Sequence, residues 1–152
     1  MNLVQQKQSS VPMHPVIIHN AQHMEACFDH GRLRNIDYVL FTEPGSLAYT
    51  GVDYFLKPFH ALQQKYSNPI TLILDCGDFF GYASQALKLG AKDIIYIPTN
   101  NEQERVIKTL AQTYGSHVWG PEKRPKDAYD LMLSDAPDRD LERLFTAMKT
   151  GE

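Results

Sequence analysis

A chain of 152 residues, 43% hydrophobic and 22% charged, is long enough for one domain with a full core and is ordinary for a globular protein. A net charge of −3 and a pI near 6.0 argue against a nucleic-acid binder, which needs a clustered basic footprint. No apolar run approaches the roughly 20 residues that cross a membrane, and the two cysteines, Cys27 and Cys76, make neither a disulfide framework nor a C-x-x-C motif for zinc or redox work.

Residues 1–13 are rich in Gln and Ser and lack the basic start and apolar centre of a signal peptide. They read as a disordered leader, with a cytoplasmic location as the default expectation. Residues 14–121 then alternate in type. Pro15–Asn20 reads as a strand. Ala21 to about Phe28 reads as a helix with Ala21, Met24, Cys27 and Phe28 on one side. Asp37–Thr42 is a second strand, ended by the turn Glu43-Pro44-Gly45-Ser46. Val52, Phe55, Leu56, Phe59, Leu62 and Tyr66 recur at helical spacing, and Pro58 among them predicts a kink or a break.

Asn68-Pro69 stops that helix and leads into the most informative stretch. The apolar run Ile70–Leu74 ends in Asp75-Cys76-Gly77-Asp78, and a helical segment, Phe79–Leu89, follows at once with Gly90 behind it. Asp93–Pro98 is a fourth strand. Thr99 or Asn100 caps the next helix, which carries Glu102 and Glu104 in its first turn, is expected to bury Val106, Ile107, Leu110, Ala111 and Tyr114, and closes at Gly115. Ser116–Trp119 is short and less apolar, hence an edge strand. Residues 122–152 read as a proline-rich linker, with Lys123, Arg124 and Lys126 in solvent, and an amphipathic helix at Asp138–Met148. That helix carries Leu141, Leu144, Phe145 and Met148 and either folds back on the sheet or docks on a partner.

Strands alternating with helices imply a parallel α/β sheet with right-handed crossovers. The expected architecture is an open three-layer α/β/α sandwich with a mostly parallel five-stranded sheet, in the flavodoxin-like order 2-1-3-4-5. Ligands in such sheets bind beyond the carboxyl ends of the strands. Strand one presents His19 and Asn20 there; strand two presents Glu43, Gly45 and Ser46, with Tyr49 in the loop beyond. Strand three presents Asp75, Cys76 and Asp78, and strand four Thr99 and Asn100.

Asp75 and Asp78 suit a divalent cation or acid–base work, or else accept backbone N–H groups and cap the next helix. Cys76 beside a helix start is a nucleophile with His19 as its base if strands one and three adjoin, or else a small buried apolar residue. Gly45 and Ser46 suit an anion; the plain alternative is a turn with Thr50 capping the following helix. His19 and His23 fall on a strand and a helix and point apart, so no metal site is expected. No G-x-G-x-x-G, phosphate-binding loop or nucleophile elbow is present, and the cofactor stays open, without a dinucleotide or zinc signature.

Ala86-Leu87-Lys88-Leu89-Gly90-Ala91-Lys92-Asp93-Ile94-Ile95-Tyr96-Ile97-Pro98 resembles the helix–Gly-Ala–strand passage before the last helix of response-regulator receiver domains. The resemblance is local and implies the fold class. Asp75 ends a strand as a phosphoacceptor does, but His19-Asn20 stand where that family has paired acids, and Pro98-Thr99 where it has lysine and proline. Leu74–Asp78 with Gly81, Ala86-Leu87 and Gly90, together with Pro44-Gly45 and Tyr49-x-Gly51, is similar to a pattern in short bacterial α/β proteins of unknown function. It carries no reaction with it. The functional expectation is a small polar or anionic ligand at the strand-end rim. The alternative is a non-enzymatic interaction module with a degenerate receiver-like fold, self-associating through a helix face or the C-terminal helix.

Overall fold

The computed structural model describes residues 14–133 and 136–149; the expected leader and the Met148 side chain lie outside the described residues. The strands are β1 (His14–Ile18), β2 (Tyr38–Thr42), β3 (Thr71–Asp75), β4 (Asp93–Ile95), β5 (His117–Trp119) and β6 (Tyr129–Asp130). The helices are α1 (Ala21–Arg34), α2 (Leu47–Thr50), α3 (Asp53–Lys65), α4 (Phe80–Lys88), α5 (Asn101–Tyr114) and α6 (Pro137–Lys149). All six strands run parallel in the order β5-β4-β3-β2-β1-β6.

Handedness dictates the layering. From β1 to β5 each strand is added on the same side of the last, so right-handed crossovers put every intervening helix on one face. The step from β5 to β6 runs back across the whole sheet, so its connection belongs on the other face. The core agrees. One buried cluster joins alternate strand residues (Val16, Leu40, Leu72, Ile94) to residues of the helices. The opposite face carries a smaller cluster, Phe41, Ile73 and Ile95 with Ile17, Val39 and Trp119, that contains no helix residue among those described. Gly120–Ala128 therefore acts as a strap over that second face.

Three fold expectations are corrected. The order is not 2-1-3-4-5, because β3 pairs with β2 instead of with β1, whose other edge takes β6. The sheet has six strands rather than five. The helices form one layer rather than two, since no reversal after β1 sends a helix to the other side. The stretch read as a linker carries β6, and α6 packs against α1 of its own chain.

Local sequence explains the element ends. The Asn20 side chain accepts from His23 N–H at 2.8 Å and caps α1. α1 runs through Gly31, where a Cβ would lie 2.6 Å from the Ile36 carbonyl oxygen; only glycine lets the chain turn back so closely. α1, α4 and α5 close alike, on a left-handed Asn35, Gly90 or Gly115. The next residue's N–H reaches back to Gly31, Ala86 or Ala111, at 2.9, 2.9 and 2.8 Å. α3 passes through Pro58 without breaking. The proline leaves the Tyr54 carbonyl without its helical donor, and Tyr54 sits on an exposed face where water can serve it.

Candidate functional site

Because the sheet is wholly parallel, every strand delivers its last residue to one rim, and every helix between strands starts there. At the β1 end of that rim, His19 Nε2 lies 2.6 Å from Asp130 Oδ1 of β6, and His19 Nδ1 lies 3.9 Å from Glu43 at the end of β2. Asp130 Oδ1 also accepts from Met132 N–H at 2.9 Å, which holds the carboxylate in place. The His19 backbone N–H donates to His23 Nδ1 at 3.0 Å, and the two rings meet edge to face with centroids 5.8 Å apart. Burial pushes the His23 imidazole below its usual range; His19 adds to this and Asp130 opposes it. A neutral His23 is what an Nδ1 acceptor requires. Asn20 spends its side-chain oxygen on the cap of α1, so it steadies His23 from the helix start.

The centre of the rim is built differently. The Asp75 side chain is 1% exposed and bound by the Arg124 guanidinium through two bonds, Nε to Oδ2 at 2.7 Å and Nη2 to Oδ1 at 3.0 Å. Gly77 N–H donates to Oδ1 at 3.0 Å. This carboxylate pins the strap to β3 and has no open side for a substrate. Arg124, expected in solvent, is instead the strap's anchor, and Lys123 beside it lies 4.0 Å over the Trp119 ring.

Cys76 is buried, its Sγ donating to Leu74 O at 3.8 Å. Burial first, and Asp75 second, push its thiol up to about 12. The expected His19–Cys76 partnership is not built, because β2 separates β1 from β3. Asp78 is exposed. Phe79, not Asp78, occupies the cap position of α4 and makes no side-chain cap bond.

The loop after β2 closes on itself, with Gly45 at φ 86° and Ser46 N–H donating to Glu43 O at 3.0 Å. Ser46 Oγ is buried without a hydrogen-bond partner. Thr50 Oγ1 donates to Gly51 O at 2.9 Å, and α3 starts at Val52 with no side-chain cap. Tyr49 projects from this loop, 93% exposed, and Phe79 from the next, 50% exposed, its ring 5.4 Å from that of Tyr82. Thr99 donates to the Gln103 side chain at 3.1 Å, and Asn100 caps α5 by accepting Gln103 N–H at 2.8 Å. Among the described residues no group of three or more His, Cys, Asp or Glu is placed to hold a metal ion.

The structure thus brings His19, Asn20, His23, Glu43 and Asp130 together and leaves Asp75 and Cys76 inside the fold. Two groups that matter escaped the sequence reading. Asp130 lies in a strand of two residues with no apolar run to announce it, and Arg124 lies in a basic, proline-rich run that looks like surface. No family model matches the chain, and no curated protein matches it in sequence.

Proposed function

We propose that the protein binds a small polar ligand at the strand-end rim, around His19 and Asp130. The observation that supports this is the close pair itself: an imidazole between two carboxylates, braced by an Asn20–His23 layer, at the end where parallel sheets take their ligands. The pair can accept a hydroxyl or ammonium proton and return it. With Glu43 beside it, it favours ligands rich in donors over anions. Ser46, Gly45, Tyr49 and Asp78 lie on the neighbouring loops and complete the rim.

The test is saturation-transfer NMR with a panel of small polyols, sugars and amines. Binding that disappears in Asp130→Asn and His19→Gln, with unchanged circular dichroism, supports the reading. Binding indifferent to both substitutions overturns it.

One observation favours a second reading, an interaction module. Tyr49, Phe79 and Met132 are exposed apolar side chains on loops of this same rim, and Tyr54 is exposed at the start of α3. A self-association that falls with Tyr49→Ser and Phe79→Ser, in a protein that binds none of the panel, selects that reading.

A further inference from the structure

A second concavity lies at the opposite end of the sheet. α1 packs on α3 and α4 packs on α5, but α3 and α4 meet only sparsely. The gap is a cleft of about 400 Å³ over the entry ends of β3 and β4. That volume is within the range of small-molecule sites, roughly 300–1,000 Å³.

Its floor is apolar, made by Leu56, Phe59, Ile70 and Leu72. Its mouth is polar, made by the His60, Gln63 and Lys92 side chains; Thr71, on the same side of β3 as Ile73, belongs to the other face. Among the described residues none of these three polar side chains makes a hydrogen bond or ion pair, although His60 stacks loosely on Phe59. Four cations elsewhere are ion-paired, Arg124 with Asp75, Arg34 with Glu142, Lys108 with Glu104 and Lys57 with Asp53, whereas Lys92 lines the cleft with no acid paired to it among the described residues. Asp93, the acid that lines the cleft, is turned to the other face, where its Oδ1 accepts from the Trp119 indole N–H at 3.0 Å.

The surroundings are positive. Helices end here, and their last turns carry Lys65 on α3 and Lys88 on α4, with Lys92 following. These whole charges exceed the partial negative charge of two helix ends. Gly90 shapes one wall: at φ 99° it excludes a side chain, and a Cβ there would sit 3.4 Å from the His60 ring.

We propose that this cleft is a binding site for a small amphipathic anion, a carboxylate or sulfonate carried on an aromatic or branched apolar body. Lys92 and His60 meet the anionic group, Gln63 donates to it, and the body lies on Phe59 and Leu72. The site is independent of the His19–Asp130 rim.

The test is a titration of the 15N-labelled full chain with three probes: 4-phenylbutyrate, its alcohol 4-phenylbutanol, and acetate. The expected result is that 4-phenylbutyrate moves the Ile70–Leu72 and Gly90–Asp93 amides and the His60 ring. The alcohol binds about five- to tenfold more weakly and acetate does not saturate, because the charge and the apolar body each contribute. Lys92→Gln, an exposed substitution that leaves the fold intact, weakens 4-phenylbutyrate by a similar factor, and Gln63→Trp at the mouth blocks it. The proposal is overturned by shifts that gather at the His19 rim, by the absence of shifts up to millimolar probe, or by equal affinity in Lys92→Gln.

Discussion

Asp75 and Arg124 show how one pair can hold a fold while occupying the place where a catalytic acid is expected. The two partners are not equivalent: Asp75 is 1% exposed, Arg124 35%. Arg124→Ala leaves a buried carboxylate with one backbone donor; breaking a fully buried pair costs about 3–5 kcal/mol, an upper bound here because solvent reaches Arg124. Asp75→Asn keeps an acceptor for Gly77 N–H and lets Arg124 turn to water, so it costs less. Urea midpoints of the two variants should fall in that order; equal midpoints would mean the pin is unimportant. Cys76 makes a second residue-scale prediction. With its thiol pushed up to about 12, and Cys27 pushed higher still by burial, neither sulfur should react with Ellman's reagent at pH 8 until denaturant is added.

At the scale of elements, α6 is held to α1 by a chain of polar contacts under a greasy seam. Tyr38 Oη pairs with His30 Nδ1 at 2.8 Å, His30 Nε2 with Glu142 Oε2 at 2.6 Å, and Arg34 Nε donates to the same oxygen at 3.1 Å. Arg34 first, then His30, hold the Glu142 carboxyl below its ordinary value of 4.5. In the unfolded chain Glu142 titrates at that ordinary value. The clasp therefore contributes fully above it, and its contribution is lost as pH falls through the lower, folded value. The α6 amides should keep their dispersion in NMR spectra down to the ordinary value of 4.5 and lose it only as the pH is taken lower, and Glu142→Gln should remove that dependence. The elements that sequence exposed most clearly are those with their own period and caps. Ile107 and Ala111 with Asn100 and Gly115 announce α5, and Leu72 and Leu74 before a glycine announce β3. Strand order has no such local signal. It depends on whether β3 pairs with β1 or with β2, and both are apolar runs of similar length. The His19–Asp130 pair was hidden for the same reason: one partner is legible, and the other arrives by a crossing of the whole sheet.

The whole molecule is a sheet with a helical side and a strapped side, closed at one edge by its last strand. β6 is two residues long and pairs only with Val16 and Ile17, so it is the weakest ladder. Its amides should exchange with solvent well before those of Leu40 and Ile73, which lie between paired neighbours deep in the sheet. Uniform protection across the sheet would contradict this. Helix charges follow the dipoles: Asp53 opens α3 and Glu102 and Glu104 open α5, while Arg32 and Arg34 close α1, Lys65 closes α3 and Lys88 closes α4. The late arrival of β6 also matters on the ribosome. β1 is made well ahead of β6, and its outer edge stays unpaired until Tyr129 and Asp130 follow. At roughly 5–20 residues per second that is a wait of several seconds, during which an apolar strand edge is open to the wrong neighbour. The nascent chain is most exposed to mispairing not while its core is missing but while its last, shortest strand is.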